Sequence, residues 1–214
     1  MNKAKIHHFY AKLKQQNPEP KGELHYVNDY TLLVAVVLSA QATDVGVNKA
    51  TKPLFKKIKT PKKMFELGEA KLKNYIKSIG LYNSKAKNVI KLSHMLLDEY
   101  GGKIPEDRDE LQKLPGVGRK TANLVLIVAL RSQENICVDT HVHRISNRLG
   151  WVETQTPAET EEALYQVAAR RWWPLLNLYL VTWGQNVCKP VYPVCGRCAI
   201  STLCPQIGVV KVGK

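Results

Sequence analysis

The sequence predicts an all-α fold. Three observations carry this. Apolar residues recur at helical spacing through most of the 214-residue chain. Several of these runs open on a capping residue, twice as a cap followed by proline. Sustained apolar–polar alternation, the mark of a half-buried strand, is absent.

The first strong element is Leu32–Leu38, a run of seven apolar residues preceded by Asn28 or Asp29 as cap. Apolar on most sides, it belongs in a core. Thr60-Pro61 pairs an N-cap with proline at the first helical position. Asn83 or Ser84 is placed to cap a helix carrying Ala86, Val89, Ile90, Leu92, Leu96 and Leu97, which Gly101-Gly102 ends. A helical pattern around Asp109, Glu110, Leu111 and Lys113 leads into Leu114-Pro115-Gly116-Val117-Gly118. A second runs on from Arg119 through Ala122, Leu124, Val125, Val128 and Ala129. Thr156-Pro157 repeats the cap-then-proline pattern before Ala163, Leu164, Val167 and Ala168. No Gly- or Ser-rich linker divides the chain, and no internal repeat is visible.

Thirty-two basic against 18 acidic residues give a net charge of +14. With 44% hydrophobic residues the chain is no disordered basic tail. A globular chain this basic points to a polyanionic partner, usually nucleic acid. No apolar run approaches the length of a membrane span, so no membrane role is expected. Met1–Lys5 leads into His and Lys residues rather than an apolar stretch. The expected location is therefore cytoplasmic, on the nucleoid if the source is bacterial. The charge is uneven: residues 52 to 63 hold six lysines and no acid, which reads as a solvated helix face.

Four of the five cysteines fall within seventeen residues, spaced Cys188-x6-Cys195-x2-Cys198-x5-Cys204. In a reducing compartment such a cluster reads as a metal site. Zinc ribbons place two close pairs across a longer spacer, and here only Cys195 and Cys198 form a close pair. The loop suits a cubane iron–sulfur cluster with one cysteine per iron. Cys137 stands apart and reads as a small buried side chain.

The hairpin Leu114–Gly118 joins two helical patterns. Gly116 and Gly118 permit positive φ and the close approach of another backbone. The turn ends at a helix N-terminus, where N–H groups and the helix dipole favour an anion such as a DNA phosphate, without reading bases. Lys120 follows in the first turn, where the dipole and Arg119 both favour a neutral amine. A neutral amine is a nucleophile able to form a Schiff base with a sugar aldehyde carbon. Asp139 precedes a helical run. By position it is an N-cap; its functional reading is a carboxylate beside a developing cationic sugar, or a base.

Together these pieces resemble the helix–hairpin–helix DNA glycosylases. The resemblance rests on Leu38–Asp44, Gly80–Lys85, Leu114–Asn123, Val138–His141 and the four-cysteine loop, in order along essentially the whole chain. It implies a bifunctional base-excision repair enzyme removing oxidised pyrimidines from double-stranded DNA and cleaving 3′ to abasic sites by β-elimination. Lys120 would be the nucleophile. Asp139 would stabilise the cationic sugar and assist proton movement. Cys188, Cys195, Cys198 and Cys204 would hold a [4Fe–4S] cluster. Gln41 and Leu81 would fill or wedge the gap left by the flipped base. Gly116, Gly118, His141, Lys189 and Arg197 would face DNA. The implied fold is two helical lobes around a DNA cleft: a six-helix lobe over 22–132, with the hairpin motif at about 108–127, and an iron–sulfur lobe from 1–21 plus 133–214, with the cluster loop at 188–204. A monomer is expected. His143 falls where family members often carry a larger apolar or aromatic residue.

Three rivals stand beside this reading. An adenine glycosylase of the same superfamily shares the cysteine loop. That branch generally lacks the catalytic lysine and usually carries an added C-terminal domain, whereas Lys120 is present here and ten residues follow Cys204. A non-catalytic DNA-binding module explains the charge and the glycines, but not Lys120 together with Asp139. A zinc-binding structural protein explains the cysteines alone.

Overall fold

The computed structural model describes residues 3–18, 20 and 22–213. Met1, Asn2, Glu19 and Lys21, which the resemblance assigns to the iron–sulfur lobe, and Lys214 lie outside the described residues. Among the described residues there is no strand. Ten α-helices follow in order: α1 Lys3–Gln16, α2 Asp29–Ser39, α3 Asp44–Lys57, α4 Pro61–Ile76, α5 Tyr82–Tyr100, α6 Arg108–Lys113, α7 Arg119–Val128, α8 Thr140–Arg148, α9 Pro157–Val167 and α10 Leu176–Asn186. Short 3-10 turns cover Arg170–Leu175, Cys195–Arg197 and Ser201–Leu203. The chain divides into two compact units, Glu23–Arg131 and Met1–Gly22 with Ser132–Lys214.

The Glu23–Arg131 unit holds α2 to α7. Of the two candidate caps for α2, the structure uses Asn28: its side chain accepts from Thr31 N at 2.9 Å, and Thr31 Oγ1 accepts from Asn28 N at 2.9 Å. The helix is buried from Tyr30 to Leu38, as a run apolar on all sides must be. Leu54, Met64, Leu72, Ile76, Leu92 and Leu96 close around it. Tyr30 OH and Ser93 Oγ pair at 2.6 Å inside this core, so burial leaves the phenol satisfied. Pro61 and Pro157 both stand at the first helical position, behind Thr60 and Thr156 caps, as the sequence predicts. One start differs. Helix α5 begins at Tyr82, and its cap position is Leu81 in the left-handed region at φ 58°, with no side-chain cap. Asn83 and Ser84 lie inside the helix, and Ser84 Oγ donates back to Leu81 O at 3.0 Å.

In the second unit aromatic rings join α1 to Trp151 just after α8, to the 3-10 turn Arg170–Leu175 and to α10. Ile6, Phe9, Tyr10 and Leu13 form one buried stripe on α1. Tyr10 stacks on Trp172 with centroids 5.1 Å apart, and Phe9 meets Trp151 edge-on at 4.8 Å. Such pairs contribute about 0.5–1.5 kcal/mol each beyond their burial. Residues more than 140 positions apart in sequence thus share one core.

Candidate active site and cysteine loop

The hairpin is built from α6, a turn and α7. Asp107 caps α6, accepting from Asp109 N and Glu110 N at 2.8 and 3.0 Å. Leu111, Leu114 and Val117 are buried and pin the turn to the core, and Val117 N donates to Leu114 O at 3.0 Å. Gly116 takes φ +84°, and a Cβ there would stand 3.1 Å from Val37 Cγ1 and 3.2 Å from Asn88 Nδ2. Gly118 differs from expectation. It is extended at φ −98°, ψ 177°, so it serves as the cap of α7 and not as a positive-φ turn residue. Nothing lies within 4 Å of the Cβ it lacks. Gly116 is therefore required by packing, while Gly118 leaves open space in front of a helix N-terminus.

These geometries predict opposite outcomes for one chemical change. Gly116→Ala costs about 1–3 kcal/mol through strain and crowding, read as a fall in Tm of roughly 2–4 °C per kcal/mol. Gly118→Ala leaves Tm within about 1–2 °C; on the sequence expectation that this helix N-terminus faces a DNA phosphate, its methyl group would occupy the approach and weaken duplex binding. Thermal melts and a DNA titration on both variants check this.

Lys120 is exposed in the first turn of α7. Asp44, the half-buried first residue of α3, is its electrostatic neighbour. Burial raises the Asp44 carboxyl above its ordinary value, and the Lys120 charge pulls it back down. Gln41 and Leu81 both adopt left-handed backbone, at φ 53° and 58°. Such conformations cost of order 1–2 kcal/mol in residues other than glycine. Their loops adjoin, since a Cβ on Gly80 would lie 3.8 Å from Gln41 O. The Leu81 side chain is 60% exposed. Strain and an exposed leucine coincide at the residues the resemblance singles out.

In the other unit Asp139 caps α8, its Oδ1 accepting from His141 N and Val142 N at 2.9 Å each. His141 Nδ1 lies 3.2 Å from Arg144 Nη2, and a Cβ on Gly184 would overlap that imidazole. Arg144 Nη2 continues to Gly184 O at 3.2 Å and Cys188 O at 2.8 Å. The helix capped by Asp139 is thereby tied to the first cysteine. His143 Nδ1 pairs with Thr160 Oγ1 at 2.7 Å, which roots it in the start of α9 by a polar contact rather than by ring packing.

The four cysteines line one cavity, walled by Ile145, Leu149, Trp183 and Ile200 among others. Burial raises the thiols of Cys195, Cys198 and Cys204, and their negative neighbours add to it. The Arg148 charge works against this at Cys195 and Cys204. Lys189 and Arg197 are exposed on the loop. Cys137 is fully buried away from it. Among the described residues no three or more His, Cys, Asp or Glu side chains converge as ligands of a single metal ion.

Residues 34–170 match the family model of the HhH-GPD superfamily base excision DNA repair protein. Endonuclease III of Rickettsia conorii is 50% identical over 199 residues, covering 93% of this chain and 94% of the relative. Endonuclease III of Escherichia coli K12 is 46% identical over 204 residues, 95% and 96% of the two chains. A solved trapped endonuclease III–DNA covalent intermediate superposes with TM-score 0.89 at 42% identity, covering 96% of this chain and 97% of that one. The chain belongs to the endonuclease III family of the HhH-GPD superfamily. It is a base excision repair enzyme with an all-α fold.

Within this endonuclease III fold, sequence reasoning missed four residues. Asp44 lies beside Lys120 only because α2 packs against both α3 and α7. Asn88 supports Gly116 from α5. Lys85 is buried, with its amine held below its ordinary value by burial and without a hydrogen-bond partner among the described residues. Arg148 reaches the cysteine loop from forty residues upstream. Its one legible signal is its spacing: Arg144 and Arg148 are four apart and so share a face of α8.

Proposed function

We propose that this base excision repair DNA glycosylase removes oxidised pyrimidines from duplex DNA and then cleaves 3′ to the abasic site. The observation that carries the reading is a helix–hairpin–helix whose second helix starts at a glycine cap and presents Lys120 in its first turn. The hairpin N–H groups hold a backbone phosphate, which sets register without reading sequence. The damaged nucleotide leaves the stack, since C1′ is shielded within the duplex. Gln41 and Leu81, already held in left-handed backbone, occupy the space it vacates.

The Lys120 amine, having given up its proton, attacks C1′, and the glycosidic bond breaks with its electron pair leaving on the base. Ring opening yields an imine between Nζ and C1′. Loss of a C2′ proton then expels the 3′ phosphate, and water releases the lysine. Asp139 stabilises the positive charge that develops on the sugar and accepts a proton. The structure of a trapped covalent endonuclease III–DNA intermediate in a relative supports a covalent route. We further propose that the enzyme acts as a monomer in the cytoplasm. Its +14 charge suits a DNA partner, and no described helix is long and apolar enough to cross a membrane. Duplex DNA carrying one thymine glycol tests the function: free base and a 3′-cleaved strand are the expected products. An intact duplex after many equivalents of enzyme sinks it.

The cysteine loop fits a [4Fe–4S] cluster. Four thiol groups surround one cavity with apolar walls, which is the donor set and the desolvated setting of such a centre. Cys188, Cys195, Cys198 and Cys204 would hold it, and when bound it supplies a rigid crosslink that orders a loop with little regular structure. The exposed Lys189 and Arg197 then face DNA. Purified protein is expected to be yellow-brown, with about four irons per chain. A colourless protein carrying stoichiometric zinc contradicts the cluster.

A further inference from the structure

Arg148 ends α8, the helix that Asp139 begins. It is half-buried and lines the cavity shared by the four cysteines. Its guanidinium meets the loop at three points. Nη1 lies 3.4 Å from Cys188 Sγ and 2.6 Å from Lys189 O, and Nη2 donates to Pro190 O at 2.7 Å. Its own carbonyl accepts from Ile207 N at 3.1 Å, with Cys204 Sγ 3.8 Å away. One residue therefore touches both the first cysteine and the segment around the last. Arg144, a turn earlier, donates to the Cys188 carbonyl at 2.8 Å and also engages the Cys188 thiol, but it does not reach Lys189 or Pro190.

Three consequences follow from elementary chemistry. Four thiolates around an iron–sulfur core carry net negative charge in a desolvated site, and a cation at hydrogen-bond distance offsets it. An N–H donor to a ligating sulfur withdraws electron density and favours the reduced cluster. The planar fork of arginine reaches three acceptors at once, which a lysine ammonium on a flexible stem does not.

We propose that Arg148 is a positioning residue of the cysteine loop: it clamps the Cys188–Pro190 segment from the end of α8 and, beside Arg144, supplies a hydrogen-bonding cation that offsets the thiolate charge. The inference rests on the cluster reading above. It assigns Arg148 to the cofactor and not to substrate, so its effects are read on the cluster itself.

The test compares wild type, Arg148→Met and Arg148→Lys as purified holoproteins. Loss of visible absorbance is followed under ferricyanide and under a ferrous chelator, and the cluster midpoint potential is measured by film voltammetry. Arg148→Met is expected to lose its cluster about 10-fold faster, as loss of an outer-shell partner does, with a lower midpoint. Arg148→Lys keeps the charge and loses the fork, so its midpoint stays nearer wild type while its loss rate is intermediate. Wild-type loss rate and midpoint in Arg148→Met overturn the proposal. If the Met variant cannot be isolated with a cluster, the Lys variant decides: faster loss than wild type supports the clamp, and equal loss overturns it. A colourless wild-type protein instead overturns the cluster reading, and the two failures are told apart by that first sample.

Discussion

Replacing Lys120 with glutamine abolishes covalent capture of the enzyme on DNA by borohydride, while the protein still folds and still binds duplex. Lys120 is exposed on the first turn of α7, so its loss opens no cavity. Glutamine preserves a polar chain of similar length and removes both the charge and the nucleophile. At most one cationic contact is lost, which lowers the salt slope of binding by no more than about 0.9, a modest change. The chemical loss is of another order. Removing a nucleophile costs on the order of 10⁴-fold or more, so neither base release nor trapped product stands above background. Wild-type trapping by the Gln variant removes Lys120 from the chemistry.

Asp139→Asn separates the two jobs of that residue. Its Oδ1 accepts from two N–H groups at the start of α8. Asparagine caps helices about as well as aspartate, so the variant loses roughly 0.5 kcal/mol or less of stability. The charge is gone, however. Stabilisation of a developing sugar cation and proton acceptance disappear together, and single-turnover base release is expected to slow by about 10²–10⁴-fold. Duplex affinity changes only a few-fold, roughly one surface charge in effect. Equal losses in binding and in chemistry return Asp139 to its capping role alone.

These two side chains show where legibility in the sequence ends. Helix starts written in local chemistry were readable: Thr60-Pro61 and Thr156-Pro157 stand where expected, because cap and proline act within one turn. The start of α5 was not, since Leu81 caps it through a left-handed backbone that no leucine announces. The two hairpin glycines look equivalent in sequence, yet only Gly116 has positive φ. Only Gly116 also has neighbours where a Cβ would stand, Val37 from α2 and Asn88 from α5, and these are visible only in the fold. The four cysteines were legible from spacing alone as a set lining one site. Arg148, which serves them, was not: its spacing from Arg144 shows a shared helix face, but its partners lie forty residues away. The union of α1 with the C-terminal segments depends on Tyr10 and Trp172, a pairing visible only after folding. The roles of Gln41 and Leu81 entered through resemblance, and their backbone strain is the physical feature that supports them.

The most direct measurement is the site of the covalent bond. Wild-type protein is reduced with borohydride in the presence of duplex containing an abasic site, digested with protease, and the DNA-bearing peptide is sequenced by mass spectrometry. One adduct is predicted, on the Nζ of Lys120, in the peptide that begins after the hairpin. An adduct on another amine, such as Lys85 or Lys189, or a reduced sample with no adduct, contradicts the assignment.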